Sequence, residues 1–134
     1  MEIFLSDGEA ATRAFAARFA KQLKSGDVVR LFGELGAGKT AFVKGLAEGL
    51  GIDDEVVSPT YSYLNVYGDY LYHYDCYRLS CGDDAVALGL SDYFGEENVC
   101  VIEWSENVES ALPENCVEIT IEKTGENGRK ITVK

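Results

Sequence analysis

The sequence is poor in the features that mediate direct binding to nucleic acid or to a bilayer. Its 134 residues include 12 lysines and arginines against 23 aspartates and glutamates, which gives a net charge of −11. Nucleic-acid-binding surfaces are usually basic, so strong direct binding to nucleic acid is not expected. No apolar run reaches the ~20 residues of a membrane-spanning helix, and the acidic N-terminal segment does not resemble a secretory signal. We therefore expect no membrane association and a cytoplasmic location, and the acidity permits a basic protein as partner.

Metal-binding and disulfide-forming residues are also few. The four cysteines are irregularly spaced without a C-x-x-C pair, and His73 is the single histidine. This pattern argues against a structural zinc site and against a disulfide-stabilised secreted scaffold, and it predicts reduced thiols. Apolar residues make up 46% and charged residues 26% of the chain, as in ordinary folded proteins. The length predicts one domain over residues 1–134.

Hydrophobic periodicity predicts an α/β protein. Phe15, Phe19 and Leu23 recur every four residues, which predicts a first helix that ends at Gly26. Ser6 and Glu9 have the spacing of a capping box at its start. The other predicted elements are strands at 27–32 and 98–104, hairpins within 58–75 (turning at Gly68-Asp69) and around 126–128, and helices at 39–51, 84–94 and after Ser105. Their alternation predicts a layered fold with a partly parallel sheet, and the tyrosine-rich 58–75 hairpin is predicted to be half-buried.

The most informative segment is "GELGAGKT", residues 33–40, which fits the G-x-x-x-x-G-K-[ST] pattern of a phosphate-binding loop. Glycines let successive backbone N–H groups point toward an anion, and the N-terminus of the following helix adds its own unpaired N–H groups. Lys39 would contact the β- and γ-phosphates, and the Thr40 hydroxyl would bind Mg²⁺. The predicted nucleotide-binding residues here are Gly33, Glu34, Leu35, Gly36, Ala37, Gly38, Lys39, Thr40 and Ala41.

Glu103 ends the apolar strand that follows later in the chain. Nucleotide-bound Mg²⁺ usually has a protein carboxylate nearby, and a strand end beside the phosphate loop is where that group lies in this architecture. A solvated strand-end acid is the alternative, but the upstream lysine-containing loop favours a role in the site.

The segment "HYDCYRL", residues 73–79, places His73, Asp75 and Arg78 close together after a predicted strand. Asp75 could orient a water or hold the metal, and Arg78 could stabilise charge on a phosphoryl group. A surface Asp–Arg pair with a core histidine explains the same residues equally well. Thr60, in "SPTY", is either a γ-phosphate sensor in a loop or a strand cap.

No N-K-x-D segment for reading guanine is present, which favours ATP as the nucleotide. An ATPase is one interpretation of the site. A small-molecule or nucleotide kinase, or an ATP-sensing adaptor that does not hydrolyse, would also use a phosphate loop. A kinase usually needs a basic lid over its acceptor, and arginine is sparse here.

Four segments together resemble the bacterial TsaE (YjeE) family of P-loop ATPases. "GELGAGKT", "SPTY", "HYDCYRL" and "VIEW" occur in that family's order and at similar separations, and "LGLSDYF" and "LPE" resemble its linking segments. The resemblance covers nearly the whole chain. It implies a P-loop NTPase fold, three-layered, with a mostly parallel central sheet plus antiparallel hairpins.

The same resemblance implies a function in making N6-threonylcarbamoyladenosine beside the anticodon of tRNA. In that family the ATPase acts with the TsaB–TsaD pair, and ATP hydrolysis supports repeated transfer. Carried over by motif, Glu103 and Thr40 would bind Mg²⁺ and Asp75 would act in metal binding or hydrolysis. Lys39 would bind the phosphates and Thr60 would lie in a switch-like loop. Glu9 and Arg129 are further candidates for nucleotide contacts.

Overall fold

The computed structural model describes residues 1–34, 36–59 and 62–134. The strands are β1 (Glu2–Ser6), β2 (Val28–Phe32), β3 (Leu64–Tyr67), β4 (Leu71–Asp75), β5 (Val99–Glu103), β6 (Val117–Lys123) and β7 (Arg129–Val133). The helices are α1 (Glu9–Ala20), α2 (Lys39–Gly49) and α3 (Gly82–Ala87), with 3₁₀ segments at Leu90–Tyr93 and Ser105–Ala111. No helix within these ranges is both long and apolar enough to cross a membrane.

The strands form one sheet in the order β1-β7-β6-β2-β5-β4-β3. The β6–β2, β2–β5 and β5–β4 pairs are parallel, whereas β1–β7, β7–β6 and β4–β3 are antiparallel. The centre of the sheet is therefore parallel, and each predicted hairpin contributes one strand to it, β4 or β6, and places its other strand outside it. The predicted α/β architecture is confirmed.

Helices α1 and α2 cover one face of the sheet. Phe15 and Phe19 of α1 pack against Phe42 of α2, above buried aliphatic side chains of β2, β5 and β6. The other face is covered at β4 and β5 by α3 and the 3₁₀ segments, which enclose a second core around Tyr74 and Ile102. These two cores make the predicted three layers.

The start of the chain differs from the prediction. Residues 2–6 form strand β1, paired with β7, and the first helix begins only at Glu9. The predicted capping box is wrong because Ser6 belongs to the strand: its hydroxyl donates to Gly8 O at 2.8 Å, and no side chain caps the helix. A five-residue strand with exposed Ile3 and Leu5 lacks the buried alternation that would have marked it.

The end of α1 also lies earlier than predicted. The helix stops at Ala20, and turns lead to Gly26, whose φ is 97° and whose N–H donates to Asn98 O. The tyrosine-rich hairpin turns at Gly68-Asp69 as predicted, with Tyr67 and Tyr74 buried. Its half-buried character is confirmed, because Tyr70 and Tyr72 are partly exposed.

Candidate nucleotide-binding site

The glycine-rich loop joins the carboxyl end of β2 to the first residue of α2, as predicted. Gly36 and Gly38 have φ values of 80° and 106°, a region that residues with a Cβ rarely adopt. Gly38 is the residue that precedes α2, and its carbonyl accepts the first helical bond from Phe42 N–H at 3.0 Å. The loop therefore delivers its backbone to the N-terminus of a helix, where an anion is favoured. Leu35 lies outside the described residues.

Gly33 is required because the backbone of β6 approaches it closely, not because of its φ value. A Cβ built on it would lie 2.9 Å from Ile121 O and 3.4 Å from the Cβ of Ala37. The loop thus lies directly against β6, with no room for a larger residue at its first position. The motif therefore needs glycine at its two ends for different reasons: Gly33 because a Cβ would clash, and Gly38 because its φ is positive.

Arg129, the first residue of β7, holds the loop from the side. Its Nε donates to Ala37 O at 2.8 Å and one terminal nitrogen donates to Gly36 O at 3.3 Å. The other terminal nitrogen donates to carbonyls of the β6–β7 turn, at 2.7 Å for Gly128 O. Most of the guanidinium donors are used to fix backbone, so Arg129 positions the phosphate loop. A direct contact between Arg129 and nucleotide stays a prediction.

Lys39 and Glu103 meet where α2 begins and β5 ends. Both side chains are buried, and the lysine Nζ lies 3.5 Å from Glu103 Oε1. The Nζ also lies 5.2 Å from the ring centroid of Trp104, at cation–π distance. Trp104 has φ 59°, a strained conformation for a residue with a side chain, and its ring contacts Tyr77 edge-on. The lysine is thus held between a carboxylate and an aromatic ring.

The second oxygen of Glu103 is bound by His73. The ring Nε2 donates to Oε2 at 2.6 Å, and His73 is completely buried. Burial alone raises the pKa of the Glu103 carboxyl, but the hydrogen bond from His73 and the charge interactions with His73 and Lys39 outweigh it, so the pKa lies below its ordinary value. Glu103 is therefore an anion at neutral pH. The sequence did not decide whether His73 is a core residue or a site residue. In the structure it is buried in the core and also binds a carboxylate of the site.

Asp75 lies beside Glu103 because β4 and β5 are parallel neighbours and these two residues are paired in register. Asp75 is half-buried, and its Oδ1 accepts the N–H of Tyr77 at 3.0 Å. One carboxylate oxygen is therefore oriented by backbone at the sheet edge. Arg78 is exposed and does not line the cavity described next.

A cavity of about 530 Å³ opens between the loop, α1, α2 and the carboxyl ends of β4 and β5. It brings together the predicted residues Lys39, Thr40, Asp75 and Glu103, and it also reaches Glu9 and Arg129. The full lining is Glu9, Thr12, Gly36, Gly38, Lys39, Thr40, Ala41, Lys44, Ser58, Asp75, Glu103, Trp104, Asn127 and Arg129.

Some lining residues were missed by sequence reasoning. Thr12, Lys44 and Asn127 match no motif position, although Lys44 lies one helical turn beyond Thr40 on α2. Ser58 begins the "SPTY" segment, but only Thr60 of that segment was predicted to act in the site. Three described residues of the loop do not line this cavity. Gly33, Glu34 and Ala37 instead border a separate groove, together with Phe32 and Trp104. Thr60 lies outside the described residues, so its assignment stays a prediction.

The residues present fit a Mg²⁺-bound nucleoside triphosphate. The loop geometry, with left-handed Gly36 and Gly38 and no space at Gly33, is that of a backbone anion cradle. Thr40 and Glu103, which both line this cavity, supply a hydroxyl and a carboxylate oxygen, ligands of the kind that Mg²⁺ takes together with phosphates. The described residues contain no group of three or more His, Cys, Asp or Glu side chains that would hold a metal by themselves.

This sheet order and this loop define the chain as an α/β protein with the P-loop fold. A family model described as "Threonylcarbamoyl adenosine biosynthesis protein TsaE" matches residues 6–131. The chain belongs to the TsaE family, whose members act in tRNA threonylcarbamoyladenosine biosynthesis.

Individual relatives agree with this placement. The "tRNA threonylcarbamoyladenosine biosynthesis protein TsaE" of Bacillus subtilis (strain 168) is 45% identical over 124 residues, covering 90% of this chain and 77% of that protein. The protein of the same description from Treponema pallidum (strain Nichols) is 49% identical over 113 residues, covering 83% and 84%. The crystal structure of Bacillus subtilis YdiB superimposes with a TM-score of 0.84 at 38% identity, covering 98% of this chain and 83% of that one.

Proposed function

We propose that this protein binds and hydrolyses ATP as a component of the tRNA N6-threonylcarbamoyladenosine machinery. Acting with the TsaB–TsaD pair, it supports repeated threonylcarbamoyl transfer to the adenosine next to the anticodon. The observation that carries the proposal is the buried Lys39–Glu103 pair at the foot of α2, facing a cavity that the glycine-rich loop borders. Two buried charges are costly to maintain for stability alone, so their position beside an anion cradle supports a catalytic role.

The residues divide the work of phosphoryl transfer to water. The loop amides and Lys39 bind the β- and γ-phosphates and balance their charge. Thr40 and Glu103 would hold Mg²⁺, which would supply positive charge against the negative charge of the phosphates. Asp75, at the adjoining strand end, is placed to orient the attacking water or to share the metal.

The acidity of the chain bears on its partner. A net charge of −11 disfavours strong direct binding to tRNA, so tRNA is served through the partner proteins. The open cavity mouth, with exposed Glu9, Thr40, Ser58 and Asn127, leaves the nucleotide accessible to a protein that completes the site.

The test is reconstitution of tRNA threonylcarbamoylation with TsaB–TsaD, with and without this protein, while ATP is varied. We expect repeated product formation and ADP release only when the protein is present. Phosphorylation of an added small-molecule acceptor would indicate a kinase. Modification that continues with a Glu103→Ala variant that cannot hydrolyse would indicate an ATP-sensing adaptor.

Lys39→Ala tests the site itself. Removal of the cation that faces the phosphates is expected to weaken Mg-ATP binding by about 100-fold and to abolish turnover. Lys21→Ala removes an exposed lysine beyond the end of α1 and serves as the matched control. Titration calorimetry measures the affinity, and unchanged affinity and turnover in Lys39→Ala would reject the assignment.

A further inference from the structure

His73 is buried against both the site and the core, which the phosphate-binding roles do not explain. It does not line the cavity, yet its Nε2 binds the carboxylate of Glu103 at 2.6 Å. The other oxygen of that carboxylate remains on the side of Lys39. The histidine therefore fixes the orientation of the Glu103 carboxylate from behind.

The opposite nitrogen of the ring continues the series of contacts. His73 Nδ1 lies 3.1 Å from the hydroxyl of Tyr67, and the two rings are 5.9 Å apart. That hydroxyl donates to Val57 O at 2.7 Å and accepts the N–H of Val57 at 3.2 Å. Tyr67 is itself buried, in the turn-proximal part of β3.

Val57 closes the path back to the site, because the next residue, Ser58, lines the cavity wall. Contacts within hydrogen-bond distance thus run from Glu103 through His73 and Tyr67 to the backbone at 57. The Tyr67 hydroxyl carries a single proton. When it donates to Val57 O, its bond to His73 needs a proton on Nδ1, and when it donates to Nδ1 it cannot also donate to Val57 O, so the two bonds depend on each other. A shift of the 57–58 backbone must be accommodated at the histidine, and through it at Glu103.

We propose that Tyr67 and His73 form a positioning relay that couples the segment 56–59 to the orientation of the Glu103 carboxylate. The proposal rests on the ATPase function proposed above, which it deepens by naming how the site is regulated. A partner or nucleotide that moves Ser58 would reach the metal-binding acid through this relay.

Packing alone would not select this arrangement. An aliphatic side chain fills a buried site without hydrogen bonds, whereas a buried imidazole or phenol is tolerated only when its polar atoms are bonded. Within residues 1–34, 36–59 and 62–134, every buried side-chain nitrogen and oxygen has a partner. Here the partners of His73 are Glu103 and Tyr67, one of them in the site.

Hydrogen exchange in the nucleotide-free protein tests the coupling independently of ATPase activity. Glu103→Gln and His73→Leu are each expected to speed exchange of the Val57 amide by about fivefold or more, since the bond that protects it is weakened. Asp75→Asn is the matched control, because this neighbouring carboxylate binds Tyr77 N–H and is outside the relay. Its effect on Val57 should stay within about twofold. Equal exchange at Val57 in all variants and wild type would overturn the relay.

Kinetics give the second measurement. Tyr67→Phe removes only the hydroxyl, and it is expected to lower kcat about tenfold while KM for ATP changes less than about threefold. Tyr70→Phe is the control, since its hydroxyl binds Ser25 outside the site. His73→Gln keeps a donor for Glu103 and should recover part of the activity that His73→Leu loses. A lowered melting temperature in Tyr67→Phe with unchanged kcat would reduce the pair to a packing role.

The two proposals fail differently. If wild type does not hydrolyse ATP with TsaB–TsaD but Val57 exchange still responds to Glu103→Gln, the ATPase proposal fails and the coupling stands. If wild type hydrolyses ATP and neither exchange nor kcat responds, the relay alone is overturned.

Discussion

The helix layer and the carboxyl end of the sheet bury their side chains in opposite ways. Between α1, α2 and the sheet, the buried residues are aromatic and aliphatic, and Phe42 contacts Phe15 and Phe19 with ring centroids 6.3–6.4 Å apart. At the ends of β4 and β5, Lys39, His73 and Glu103 are buried together and satisfy one another. Apolar contacts are locally replaceable, whereas a charged set is stable only when all its members are present. Truncation in the first region should therefore lower stability alone, whereas loss of a member of the charged set should lower activity as well.

The largest effect that separates the two regions is expected from Phe42→Ala. This side chain is fully buried among aromatic neighbours, and its removal should cost about 3–5 kcal/mol of unfolding free energy, through lost burial and a residual cavity. Urea denaturation measures the loss. The fraction that remains folded should bind Mg-ATP as wild type does, and a selective loss of affinity would show that the layers are not separable.

Asp75→Ala is the reciprocal test in the charged region. It is expected to lower kcat on the order of 100-fold while Mg-ATP affinity changes less than about threefold, because the group acts on the water or the metal rather than on the cradle. Binding and single-turnover measurements separate these effects. A large loss of affinity would make Asp75 a binding residue.

A smaller effect on stability should follow from Gly45→Ala, at the contact between α1 and α2. A Cβ there would lie 2.6 Å from the Cβ of Ala16, so the helices must separate. We expect a net loss of about 1–2 kcal/mol, because overpacking outweighs the gain in helix propensity. Gly125→Ala, where a Cβ would have open space, is the control and should be near neutral in the same denaturation assay.

The smallest expected effect is a difference in alkylation rate between buried and exposed cysteines. Burial raises the pKa of Cys76 to about 12, with a further contribution from the charge of Asp75, and burial raises the pKa of Cys100 to about 11. At pH 8 both are neutral thiols and should be alkylated far more slowly than the exposed Cys81. Mass spectrometry of iodoacetamide-treated protein gives the rates. Fast labelling of Cys76 would show that the layer under β4 opens in the native state.

Local pattern was enough to place the phosphate loop, because strand, glycines, lysine and helix are contiguous. It also placed Asp75 and Glu103 each at the end of a strand, but their adjacency follows from the parallel pairing of β4 and β5, which the structure shows. The edge strand β1 was missed because an exposed strand carries no buried alternation. The role of His73 could not be predicted, because its two partners, Tyr67 and Glu103, are assembled by tertiary contacts.

The contact of Arg129 with the phosphate loop joins two segments that are made at very different times during translation. The loop that Arg129 holds lies 92 residues earlier in the chain, at Ala37. During synthesis this loop leaves the ribosome long before the arginine does, and also before β5 and β6, the two strands that flank β2 in the sheet. A chain truncated before residue 129 would lose the loop anchor together with β7, the strand that joins β1 to β6 and carries the buried Ile131.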